Sequence, residues 1–172
     1  DQLYVHNDQL LNNNKDKIID ELMTYDGDMG QLGEIRDMLI VEFNIVKPDL
    51  VMVFGDRTST FGAGLSAKIV GVNLVHVESG LRDGDLQNPR EVNRILIDHI
   101  TTYHIVTEQS GVDHLNSSGI SENVYLVGNT LIDTQKKYLE QSLKTRYYGT
   151  LGLQPKDYVL VTLNHQKNTK SL

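Results

Sequence analysis

From residue 31 onward the chain alternates between two hydrophobic periods. Leu32, Ile35, Leu39, Phe43 and Val46 recur at helical spacing and stop before Lys47-Pro48, where the proline disfavours further helix. "DLVMVFGD" follows, a short continuous apolar run closed by Gly55-Asp56, as expected of a strand covered on both faces. A small-residue helix over Thr58–Val70 then leads through Gly71 to a strand at Val72–Val77. Pro89 suits the first position of another helix, whose inward residues would be Val92, Ile95, Leu96 and His99 or Ile100. "YHIVTE" reads as a strand, and the helix after it should stop at Gly119, a natural residue for a left-handed helix end. "NVYLVGN" is a further strand and Thr130–Leu143 a further helix. "LGLQPKDYVLVTLNHQ" predicts a loop and a fifth strand. Residues 1–30 are polar and Asn-rich, with one short amphipathic helix expected near Lys17–Thr24.

Strand-helix alternation at this spacing predicts an α/β fold, a doubly wound, mostly parallel, Rossmann-like sheet. Ligands of such sheets bind beyond the carboxyl ends of the strands. Asp56, Glu78, Glu108 and Asn129 each end a predicted strand. For Glu108 and Asn129 the simpler account is that strand ends meet water. Asp56 and Glu78 differ, because glycine lies beside the first and two positions beyond the second, where backbone and ligand can come close. Consecutive βα units usually lie side by side, so these two carboxylates are expected at one edge of neighbouring parallel strands. The helix starting near Thr58 would border them with its N-terminal end, which favours a diphosphate.

Composition narrows the function. The 172 residues carry a net charge of −7, so no basic surface exists to neutralise nucleic acid. Cysteine is absent, which excludes disulfides and Cys-ligated zinc, and the six histidines show no metal-binding spacing, so no metal is expected. No apolar run reaches membrane length, and a cytoplasmic location is expected. "GAGLSA" fits a loose dinucleotide fingerprint, but "DRTSTF" separates it from the strand that should precede it, and small residues more often let a helix pack closely. No Gly-x-Ser-x-Gly elbow or Gly-Lys-Ser/Thr phosphate loop occurs.

Read in order, "KPDLVMVFGDRTST", "HVESGLRDGD", "PREVNRILIDH", "VTEQSGVDHL", "VYLVGNTLID" and "YVLVTLNHQKN" resemble the non-hydrolysing UDP-N-acetylglucosamine 2-epimerase family, collinearly from about Gln31 to Asn168. The resemblance implies a two-domain glycosyltransferase-B-like architecture, with 1–152 forming the first domain, without its opening strand, and 153–172 the start of a truncated second. It implies interconversion of UDP-GlcNAc and UDP-ManNAc by elimination and re-addition of UDP, without cofactor or metal, in a homodimer. Asp56 and Glu78 match two of the family's acidic catalytic residues, while Arg82 and His165 are the expected substrate contacts. The departures are specific. Arg90 stands where the family has Glu, and Asn164 where it has a UDP-contacting histidine, with His165 one place along and therefore on the other face of a strand. These changes keep open a second reading, a degenerate nucleotide-sugar-binding or assembly module. Residues 1–172 alone are expected to turn over UDP-GlcNAc poorly.

Overall fold

The computed structural model describes residues 29–162. The chain divides into two compact units, Asp1–Asn129 and Thr130–Leu172. The expected helix near Lys17–Thr24 and the candidate His165 lie outside the described residues.

In the first unit, helix α1 (Met29–Val46) precedes strand β1 (Leu50–Phe54), helix α2 (Thr58–Ile69) and strand β2 (Asn73–Val77). Helix α3 (Pro89–Ile100), strand β3 (Tyr103–Val106), helix α4 (Gln109–Ser117) and strand β4 (Val124–Leu126) follow. The four strands form one sheet in the order β1-β2-β3-β4, every pair parallel, the Rossmann-like arrangement that the alternation predicts. Strand order that follows chain order is what successive right-handed βα crossovers produce.

The core explains the helical periodicity. Ile35, Leu39 and Phe43 of α1 are buried with Val51, Val53, Ala63, Ala67, Leu74 and Ile97. The "GAGLSA" residues let α1 and the sheet approach α2: a Cβ on Gly62 would lie 2.7 Å from Ile35 Cγ2, and one on Gly64 3.1 Å from Leu74 Cδ2. That segment is a packing surface well inside a helix. Helix α4 ends as expected, with Ser118 closing it and Gly119 following at φ +80°.

Two expectations fail. Helix α3 turns Glu91, Asn93, Ile97 and Asp98 inward, while Val92, Leu96 and His99 are exposed. Polar residues take the inner face because each finds charged or hydrogen-bonding partners there, described below. In the second unit, helix α5 (Thr130–Thr145) and the single turn α6 (Tyr147–Thr150) are followed by residues 151–162, which form no strand. Tyr158–Val161 are exposed, and the part of the predicted fifth strand that falls among the described residues forms no strand, the rest lying outside them.

Candidate active site

The register Phe54↔Val77 brings the ends of β1 and β2 level, and the Gly55 amide continues the ladder to the Val77 carbonyl at 3.2 Å. Asp56 and Glu78 therefore leave adjacent parallel strands at the same end. Asn88 begins α3 at this edge, its side chain accepting the Arg90 amide at 3.1 Å, and Pro89 follows as the first helical residue. Thr58 begins α2 directly after Asp56-Arg57.

Helix α3 ties the two strand ends together. Asn93 Nδ2 donates to the Asp56 carbonyl at 3.0 Å, and Arg94 Nη2 pairs with the Asp56 carboxylate. The same guanidinium reaches Glu91 at 3.0 Å and Asp83 at 3.4 Å. Glu91 is only 2% exposed and also accepts the backbone amides of Asp83 and Gly84, at 3.0 and 3.2 Å. One arginine and one buried carboxylate thus join β1, the segment after β2 and the first turns of α3. Buried charge survives only when paired in this way.

A second cluster lies deeper. The Asp98 side chain, wholly buried, faces His76 Nδ1 at 2.7 Å and Arg82 Nη1 at 2.7 Å. Ser79 Oγ donates to it at 2.5 Å and the Gly80 amide at 3.1 Å. Burial alone would raise the Asp98 pKa, but the hydrogen bond and charge of His76, with Ser79 and Arg82, hold it down at about 2. His76 Nε2 faces the Gly55 carbonyl at 2.9 Å. Both His76 partners can only accept, so both contacts are hydrogen bonds only when each ring nitrogen carries hydrogen. His104 Nδ1 lies 2.8 Å from Ser79 Oγ, and burial holds the pKa of His104 below its ordinary value.

Glu78 sits between these clusters in an unusual backbone state, φ +70°. The left-handed region costs a non-glycine residue about 1–2 kcal/mol. Bonds on either side hold it there: the Glu78 and Ser79 amides both donate to the Ile105 carbonyl, at 3.0 and 3.3 Å. Gly80, at φ +80°, presses on the start of α4, where an added Cβ would lie 2.3 Å from the Gly111 oxygen. The half-buried Glu78 carboxylate itself makes no hydrogen bond or ion pair among the described residues. A strained residue whose carboxylate is unpaired among the described residues, at the end of the strand next to the one that carries the ion-paired Asp56, is able to accept and return a proton.

Arg82 is turned inward. Its side chain is 12% exposed, Nη1 also donates to the Leu81 carbonyl at 2.8 Å, and Nη2 is buried without a hydrogen-bond acceptor. Among the described residues no cluster suited to a metal ion occurs, and no helix is long and apolar enough to cross a membrane.

Sequence reasoning placed Asp56, Glu78 and Arg82 in one region but did not assign Glu91, Arg94 or Asp98. A signal was present: these three recur at i, i+3 and i+7, one face of a helix, yet the face read as inward was the apolar one.

The profile of the UDP-N-acetylglucosamine 2-epimerase family matches residues 23–171. The UDP-N-acetylglucosamine 2-epimerase of Methanocaldococcus jannaschii is 32% identical over 95% of this chain and 49% of its own length. Its solved structure superposes with a TM-score of 0.70 at 29% identity, over 92% of this chain and 48% of that one. The Neisseria meningitidis UDP-GlcNAc 2-epimerase, solved with UDP-GlcNAc bound, gives 0.65 at 31% identity, over 72% and 35%. The chain spans about half the length of the curated relatives it matches, or less.

Proposed function

The chain belongs to the UDP-N-acetylglucosamine 2-epimerase family, and from that premise we propose that it supplies the acid-base wall of a site interconverting UDP-GlcNAc and UDP-ManNAc. The observation that carries the reading is Glu78, held at φ +70° with its carboxylate unpaired among the described residues, at the end of the strand adjacent to that of the Asp56–Arg94 pair. The sugar C2 hydrogen is not acidic, so its removal is coupled to cleavage of the C1–oxygen bond. The proton passes to a carboxylate, the electron pair forms the C1–C2 double bond of a 2-acetamidoglucal, and UDP departs. Re-addition of UDP at C1 with a proton delivered to the opposite face of C2 gives the epimer. Two carboxylates on adjacent strands suit such a two-faced transfer, so Asp56 and Glu78 are the proposed proton carriers.

Arg82 is proposed as a substrate contact on the family resemblance, a role that requires its guanidinium, now turned inward onto Asp98, to swing out towards the ligand. His165 is proposed as the second contact on the family resemblance. No cofactor or metal enters the proposed reaction, and a cytoplasmic homodimer with a domain boundary near residue 152 accords with the family. Residues 1–172 on their own supply one wall, and the electrostatic support of a closed, water-excluding site needs two.

The test is incubation of the protein at its full natural length with UDP-GlcNAc in deuterated buffer, followed by proton NMR. Deuterium at C2 and the appearance of UDP-ManNAc are expected. Binding of UDP-GlcNAc without any C2 exchange would instead favour the non-catalytic module, the reading to which Arg90, in the first turn of α3, lends weight.

A further inference from the structure

Asp98 lies at the opposite end of α3 from Asn88, yet its two oxygens collect four donors from the region of Glu78. His76 is a fully buried residue of β2, and Ser79, the Gly80 amide and Arg82 all belong to the segment that carries Glu78. His76 extends the cluster to the Gly55 carbonyl, the residue before Asp56. Ser79 extends it to His104 on β3. The Ser79 hydrogen goes to Asp98, so His104 must donate from Nδ1 to the Ser79 oxygen. Every polar group around Asp98 is thereby oriented, with one direction of donation throughout.

We infer that Asp98 is a positioning residue: by gathering His76, Ser79, Gly80 and Arg82 it fixes the left-handed backbone of Glu78 and ties that segment to the Gly55-Asp56 end of β1. The inference rests on the proposed function only for what Glu78 does, not for how Glu78 is held. An asparagine at 98 keeps the shape but replaces one oxygen with an amide nitrogen, so one of the two donor pairs would face another donor.

The test compares amide exchange and backbone NMR of the ligand-free chain in Asp98→Asn and Ser66→Ala. Ser66 is equally buried, and its hydroxyl bonds the Gly62 carbonyl at 2.7 Å and the Arg36 carbonyl at 3.1 Å, within the α1–α2 packing. Its loss weakens the fold without touching the Glu78 segment. In Asp98→Asn the Gly80 amide should exchange about tenfold faster or more relative to the β2 strand amides, as loss of a charged acceptor implies. The Glu78 Cα resonance should leave the left-handed range. Uniform changes matching those of Ser66→Ala would overturn the inference. If Asp98→Asn does not fold, Ser79→Ala keeps the Asp98 charge and three of its donors. It should shift the Glu78 and Gly80 resonances and alter the His104 ring nitrogen signal, and unchanged Glu78 and Gly80 resonances would overturn it equally. No nucleotide sugar is used, so failure of the proposed reaction leaves this result readable.

Discussion

Gly80→Ala should be markedly more destabilising than Gly71→Ala, although both residues have nearly the same backbone, φ +80° and +81°. A Cβ at Gly71 would meet nothing within 4 Å, whereas at Gly80 it would lie 2.3 Å from the Gly111 oxygen and 2.7 Å from the Gly111 carbon. The left-handed cost of about 1–2 kcal/mol is common to both, and reduced freedom of the unfolded chain offsets about 0.4–1 kcal/mol of it. Only Gly80→Ala adds overpacking, about 1–3 kcal/mol, and here the obstacle is backbone that cannot swing aside. With a urea m-value of about 1–3 kcal/mol/M, its midpoint should fall roughly 1 M below that of Gly71→Ala. Far-UV circular dichroism in urea, run on both variants and the parent, measures the difference. Equal midpoints would refute the contact between the Glu78 segment and α4, one of the restraints on that segment.

Arg94→Met should destabilise by about 3–5 kcal/mol, because Glu91, 2% exposed, would lose its cationic partner; a thermal midpoint close to the parent's would contradict the pairing. Asp98 supplies an acid-dependent term. Its folded pKa of about 2 lies below the unfolded value, so its contribution is complete above about pH 4 and is lost as pH falls from there through 2. The shift corresponds to about 2.5 kcal/mol, and Asp98→Asn should flatten the stability-pH slope across that window; a slope like the parent's would place the acid response elsewhere.

The sheet was readable because its strands are short apolar runs that end in glycine or polar residues, and because the helices between them carry the 3.6-residue period. Asp56 and Glu78 were readable as strand-end carboxylates, and their neighbouring parallel strands follow from the crossover rule. What periodicity could not resolve was α3. A helix whose inner face carries Glu91, Asn93 and Asp98 looks outward-facing until their partners, the Asp83 and Gly84 amides, the Asp56 carbonyl and His76, are known. Those partners are contributed by other elements, so no local pattern contains them. Nothing in the sequence links His76 and His104 for the same reason, although the fold places them in register on adjacent strands. The strand expected at Tyr158 failed differently: its apolar run is genuine, but a strand exists only by pairing.

The most direct test of the shared Asp56–Glu78 site is a double-mutant cycle on C2 deuterium exchange of UDP-GlcNAc, using Asp56→Asn, Glu78→Gln and the pair in the full-length protein. If the two carboxylates serve the same elimination and re-addition, each single change should slow exchange by about 10²–10⁴-fold. The double variant should then be little worse than the slower single one. Parent-like exchange in Glu78→Gln, or losses that multiply independently, would contradict a common site.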